Sequence, residues 1–257
     1  MFPTLFAIAT NTLREAVRDR VLYNLILFVL LITASAVFLG ELTAGQEARV
    51  IVDLGLSASL VFGTFISIFV GVSLVSKEIE KKTVYSIFSK PVGRGEFIVG
   101  KYLGLCATLL LNVAVMGVGV SLAEAYVGGT EYILPIWGAL CLIFLELTIT
   151  TAVAILFSSF STPALSALLT FFVFLIGHFS SSLRDLAESL GSRGAIVFFN
   201  AVYYLLPNLA HFGFIPNTAN GEVTPWSLIG SCIAYAVVFD GVLLAVAVLI
   251  FSRRNFK

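Results

Sequence analysis

The sequence predicts an all-α membrane protein with six transmembrane helices, and three observations carry that prediction. The 257 residues are 59% hydrophobic and only 12% charged, and a mean hydropathy of +1.03 leaves too little charge to cover a water-facing surface. Six apolar stretches, at 21–40, 50–75, 97–127, 133–157, 163–182 and 226–251, reach the roughly 20 helical residues that cross a hydrocarbon core of about 30 Å. These stretches are continuous and do not alternate polar with apolar residues, so helices rather than barrel strands satisfy the backbone in lipid. The whole chain, 1–257, reads as a single transmembrane domain without internal repeats or low-complexity segments.

Charge placement orients these elements. Arg14, Arg18, Arg20, Lys77, Lys81, Lys82, Lys90, Arg94, Lys101, Arg253, Arg254 and Lys257 fall on one side, and only Arg49, Arg184 and Arg193 on the other. Basic residues mark the cytoplasmic side, so both termini and the 76–96 connection are expected in the cytoplasm. The 158–162 loop, SSFST, carries no charge and takes its side from parity.

In chain order, residues 4–20 place Leu5, Ile8, Ala9, Leu13, Ala16 and Val17 on one helical face, as an interfacial amphipathic helix does. The Arg-rich start followed by Ala34-Ser35-Ala36 imitates a signal peptide, but an apolar run of about 20 residues is a span rather than a short h-region. The 76–96 connection holds the dense charge cluster of the chain. The 183–225 excursion is the longest extracytoplasmic connection. Within it AIVFFNAVYYLL (195–206) is too short to span and suits a re-entrant or interfacial helix, and Pro207, Pro216 and Pro225 punctuate the rest of the excursion.

Gly95, Gly100 and Lys101 match G-x-x-x-x-G-K, the opening of a phosphate-cradling loop. The match fails physically. Tyr102 stands where a Ser or Thr must hold magnesium, no buried strand leads into Gly95, and the following helix enters the membrane. Instead, Thr83–Ser89 reads as a short amphipathic helix with Val84, Ile87 and Phe88 on one face, stopped by Pro91 and Gly93. Two readings fit such an element: an apolar knob that fills a groove on a soluble partner, or a helix lying on lipid headgroups beside Lys81 and Lys82.

This region resembles that of the ABC-2-type permeases, the membrane subunits of type-2 ABC exporters. Glu80, Thr83, Ile87, Phe88, Pro91, Arg94, Gly100 and Lys101 fall on that family's pattern, with Lys82 where a glycine is usual. IATNTLREAVRDRVLYNLILFVLL also looks like its amphipathic helix running into the first span. Within the family the chain is most similar to the branch with transporters for copper-enzyme maturation and gliding motility. The resemblance implies a multi-pass exporter subunit in the cytoplasmic (inner) membrane of a prokaryote, paired with an identical or related permease chain. Two separate ATPase subunits would bind ATP and magnesium and grip 83–89 as a coupling helix, so this chain itself would carry no cofactor and no catalysis. The docking residues so implied are Glu80, Lys82, Thr83, Val84, Ile87, Phe88, Pro91 and Arg94. A periplasmic component is a further candidate partner.

Polar residues within the spans are the other candidates. Glu146, near the middle of the fourth span, and Asp240, in the sixth, are functional hypotheses by default at such depth. No Lys or Arg lies deep enough to pair with them. Each needs a proton, a hydrogen bond from a neighbour such as Thr148 or Thr150, or a wet cavity. Asn112 suggests a bond between helices, and Gly100 with Gly104 a close helix contact. Asp53 and Glu124, near outer span ends, are expected to meet water. His178 and His211 lack the nucleophile turn and orienting acid of a protease, and with Cys106, Cys141 and Cys232 they form no convergent metal set. The cysteines read as packing residues. No basic stripe for nucleic acid appears. The rival functional reading is a self-sufficient proton- or ion-coupled carrier using Glu146 and Asp240, and the third an intramembrane enzyme.

Overall fold

The computed structural model of the chain describes residues 2–16, 27, 28, 31, 35, 46–80, 93–180 and 193–253, and among them every regular element is helical. In order these are α1 (Phe2–Ala16), α2 (Glu47–Glu80), α3 (Arg94–Val127), α4 (Ile133–Ser158), α5 (Pro163–His178), α6 (Arg193–Leu205), α7 (Ile215–Ala219) and α8 (Trp226–Arg253), with 3-10 turns at Thr130–Tyr132 and Leu209–Phe212. Of the predicted first span, residues 27, 28, 31 and 35 are helical and the remainder lies outside the described residues. Phe28 is fully buried and meets Phe62 of α2 edge-on at 5.9 Å. Gly95 to Lys101 is continuous helix, so no phosphate-cradling loop exists there.

Among the described residues, four stretches are long and apolar enough to cross a membrane: Glu47–Ser73, Arg94–Val127, Thr130–Ser158 and Trp226–Arg253. The 16 residues of α5 extend about 24 Å, less than the predicted 163–182. The shortening has a packing cause: the chain after α6 folds back over the end of α5. A Cβ on Gly177 would stand 2.5 Å from the Pro207 carbonyl oxygen, and Ser180 Oγ donates to Asn208 Oδ1 at 2.6 Å. The 13-residue α6 matches the helix expected at 195–206. Beyond it the excursion returns to the bundle, burying Leu209, Phe212, Thr218 and Ala219.

The axis of the bundle is α4. Its sequence is apolar on nearly all sides, which suits protein or lipid surroundings, and its neighbours bury most of it. It contributes to each of three core clusters. One joins Leu56, Leu60 and Ile66 of α2 to Leu109 and Met116 of α3 and to Ile136, Ile143 and Leu147 of α4. A second packs Phe97, Tyr102 and Leu105 of α3 with Ala152 and Ile155 of α4 and with Ala247 and Phe251 of α8. A third sets Leu142 and Ile149 of α4 against Leu209, Phe212, Cys232 and Ala236. Close approach of α2 to α4 depends on Gly63, whose missing Cβ leaves the space that Leu147 fills, and farther along α2 Gly71 faces Ala154. Numbers rise together along this seam, so α2 and α4 run parallel, and α3 and α5 run against them, as successive crossings require. All three cysteines are free thiols, as the sequence predicts.

The N-terminal helix α1 is amphipathic as predicted, but the face it buries rests on protein. Thr12 is fully buried, and a Cβ on Gly104 would lie 2.6 Å from both the Ala9 carbonyl oxygen and the Thr12 Cβ. Gly104 therefore lets the two backbones touch, the role the small-residue pair predicts. Substituting Gly104→Ala must displace a backbone rather than a flexible side-chain tip. The expected loss is about 1–3 kcal/mol, read as a lowered unfolding midpoint in detergent micelles. Gly230→Ala, where a Cβ meets nothing within 4 Å, should change stability by less than about 0.5 kcal/mol.

Candidate functional site

The hairpin between α4 and α5 sets the geometry of the polar interior. Ser158 closes α4, and Pro163, with its φ already helical, opens α5 within its first turn. Glu146 lies roughly 18 Å back from this turn along α4, and His178 roughly 22 Å forward along α5, at 1.5 Å per residue. The two side chains arrive at one level: His178 Nδ1 is 3.3 Å from Glu146 Oε1. The Glu146 side chain is 2% exposed and that of His178 36%, and the imidazole stacks on Phe174 at 5.7 Å.

This pair lines a cavity of about 420 Å³ walled by Asp53, Ser57, Leu60 and Val61 of α2, Ile143 of α4, and the returning segment from Ala210 to Pro216. A second hollow of about 460 Å³, with Gln46, Arg49 and Val50 on its wall, shares Asp53 and Pro216 with the first. The two hollows lie side by side along the first part of α2, and the first is the cleft that reaches Glu146 and His178. Its walls are mostly apolar, and its polar groups include two carboxylates, a serine and a histidine. Such a cleft can admit water or a solute to a depth that the surrounding apolar helices exclude.

Asp240 occupies a different place. Its Oδ2 accepts a hydrogen bond from Tyr102 of α3 at 2.7 Å, and its Oδ1 has no hydrogen-bond partner among the described residues. The residue is 7% exposed and does not line the cleft. Of the neighbours expected to serve the carboxyls, Thr148 donates to the Leu145 carbonyl at 2.7 Å and also lies beside the Asp240 carboxyl, whereas Thr150 donates to the Glu146 carbonyl of its own helix at 3.0 Å. Asn112 does likewise, donating to the Thr108 carbonyl at 2.7 Å, so among the described residues it makes no bond between helices.

At the other end of α3, Arg94 donates through one guanidinium nitrogen to the carbonyls of Phe251 at 3.3 Å and Ser252 at 2.7 Å. Lys101, expected to reach for the interface, is 3% exposed, with Nζ 5.8 Å from the centre of the Phe97 ring. Of the other residues assigned to docking, Lys82, Thr83, Val84, Ile87, Phe88 and Pro91 lie outside the described residues, and Glu80 is the last residue of α2. The expectation that water reaches Glu124 is corrected: the residue is fully buried beneath Gly129, and neither carboxylate oxygen has a hydrogen-bond partner among the described residues.

Sequence reasoning weighs His178 for catalysis and misses it as the partner of Glu146. Similar distance from the α4–α5 turn is the available signal. In the sequence Tyr102 stands out only as the residue that breaks the phosphate-loop match, and Asp53 only as a water-facing residue at a span end, because the folded-back excursion that builds the cleft leaves no pattern. Coupling between Glu146 and His178 is measurable. A cycle of Glu146→Gln, His178→Ala and the double variant should give an interaction energy of about 0.5–3 kcal/mol in denaturant unfolding, and additive effects would deny the pair.

With this geometry in place, comparison with known proteins assigns the family. The family model for ABC-2 family transporter proteins matches residues 6–255. The "Probable ABC transporter permease protein NosY" of Pseudomonas aeruginosa is 25% identical over 233 residues, which span 88% of this chain and 78% of that protein. The chain belongs to the ABC-2 family of transporter proteins and is a multi-pass membrane permease of the ABC type.

Proposed function

We propose that the chain is the membrane half of an ABC exporter: it pairs with a second permease chain, identical or related, and is driven by two cytoplasmic ATPase subunits that grip the 83–89 segment. The observation that carries this reading is the length of the two helices flanking that segment. Both α2 and α3 have 34 residues, about 51 Å at 1.5 Å per residue, against a hydrocarbon core of about 30 Å. Helix α2 continues beyond the predicted span of 50–75, through Lys77, Glu78 and Glu80. Both helices are longer than a crossing requires, and the end of α2 and the start of α3 flank the 81–92 stretch, whose apolar residues Val84, Ile87 and Phe88 suit a groove on a soluble partner. Family membership also favours this reading over a self-sufficient carrier or an intramembrane enzyme.

ATP and magnesium belong to the partner in this reading, and the chain contributes no catalytic group. Closure of the ATPase pair would push the docked segment and, with it, α2 and α3 as rigid bodies. The Asp53–Glu146–His178 cleft, which the charge bias places on the extracytoplasmic side, is the part of the pathway that a solute would meet on leaving. Asp240 and Asn112 act within the helix packing instead.

Two measurements test the proposal. Phe88→Asp or Ile87→Asp should reduce retention of an ABC ATPase subunit, identified by its nucleotide-binding motifs, about 30-fold, the effect of losing a buried anchor worth some 2 kcal/mol. Unchanged retention would refute docking at this segment. Ser57→Cys should react with a membrane-impermeant thiol reagent added outside intact cells, and protection there combined with labelling from the cytoplasm would reverse the orientation.

A further inference from the structure

Arg94 stands three residues past Pro91 and five past the segment assigned to docking, yet its guanidinium reaches into the chain's own fold. Its acceptors are the carbonyls of Phe251 and Ser252, in the last turn of α8. Final-turn carbonyls have no partner within their helix and carry the negative end of its dipole, and a guanidinium can fork across two of them. Because these acceptors are backbone atoms, side-chain changes on α8 leave them in place, and the bond is lost only by changing Arg94.

The same two helices meet twice more within a short distance. Phe97 stacks on Phe251 with ring centres 6.0 Å apart and planes 19° from parallel. Two turns into α3, Tyr102 donates its buried 2.7 Å bond to Asp240. From Arg94 to Tyr102 the three contacts cover about 12 Å of α3. Farther along, the buried partners of α3 around Leu109, Met116 and Val120 come from α2 and α4. Contact with α8 is thus concentrated where α3 emerges from the 81–92 stretch. Sliding α8 past α3 would strip the Tyr102 hydroxyl from a carboxylate whose other oxygen already has no partner among the described residues, a costly event away from water.

We propose that Arg94, Phe97 and Tyr102 of α3 clamp α8 through Phe251, Ser252 and Asp240, so that a push on the 81–92 stretch moves the C-terminal helix together with α3. This rests on the docking reading above and extends it: α8, far along the chain from the docked segment, becomes a driven element. Arg94 is then a positioning residue that passes on the stroke, and the gripping of the ATPase is left to 83–89.

The test uses the full chain with its ABC ATPase subunit in lipid nanodiscs, with spin labels at Trp137 of α4, a helix not attached to the pushed segment, and at Val238 of α8; the two positions are 41% and 66% exposed. The distance between them is read without nucleotide and with ATP trapped by vanadate. Unaltered, the pair should change distance on trapping. In Arg94→Gln, and in the near-isosteric Tyr102→Phe, ATPase retention should stay within about twofold while the distance change falls by at least half, with partial recovery in Arg94→Lys. A full distance change in both variants overturns the clamp, as does an Arg94→Gln variant that sheds the ATPase as Phe88→Asp does. An unaltered chain that retains no ATPase would instead bring down the docking reading and the clamp with it.

Discussion

The rest of the structure depends on one constraint: a polar group inside a bilayer must find its partner within the protein. Most of the interior meets it locally. Ser59, Thr108, Thr150, Thr151 and Thr170 each donate to the carbonyl one turn earlier on their own helix, and such bonds tie no two helices together. A carboxylate deep in a span requires a donor, and the best donors lie on other helices. Glu146 recruits His178 and Asp240 recruits Tyr102. The first contact joins helices already paired by a short turn and the second joins helices far apart in the chain, on a background of apolar packing that is less selective about register.

The two pairs divide the bundle into parts with different tasks. The α4–α5 pair lines a cleft along the first part of α2, where charge and water can reach a bound solute. The α3–α8 pair lies at the opposite end of the bundle, near the stretch assigned to the motor, and holds two helices in step. Between them α4, buried along most of its length, gives a core against which other helices can tilt. A permease that must open alternately to two sides is served by such a division: polar rivets where helices move together, and apolar seams where they move apart.

Much of this architecture was legible in the chain. The spans at 50–75, 97–127, 133–157 and 226–251 appear as α2, α3, α4 and α8 because a bilayer imposes one length and one composition on a crossing helix. Gly104 was readable as a contact because only small residues let helix backbones touch. Glu146 and Asp240 stood out because ionisable groups at that depth are rare. Their partners did not, since His178 is 32 residues from Glu146 and Tyr102 is 138 from Asp240, and periodicity is silent on which helices neighbour one another. The bonds of Arg94 were hidden for a related reason. In sequence it belongs to a cationic cluster, and its acceptors are backbone carbonyls that have no sequence signature. The burial of Glu124 and the returning excursion after Pro207 depend on tertiary closure alone.

The central claim is that an ATPase grips the greasy face of 83–89 and works the membrane helices from there. The most direct measurement places a photo-crosslinking amino acid at position 88 in living cells and identifies what it captures by mass spectrometry. The account predicts a covalent adduct with an ABC ATPase, formed efficiently at 88 and weakly at a control position on the lipid-facing side of α8. Adducts with lipid alone at position 88 would contradict it.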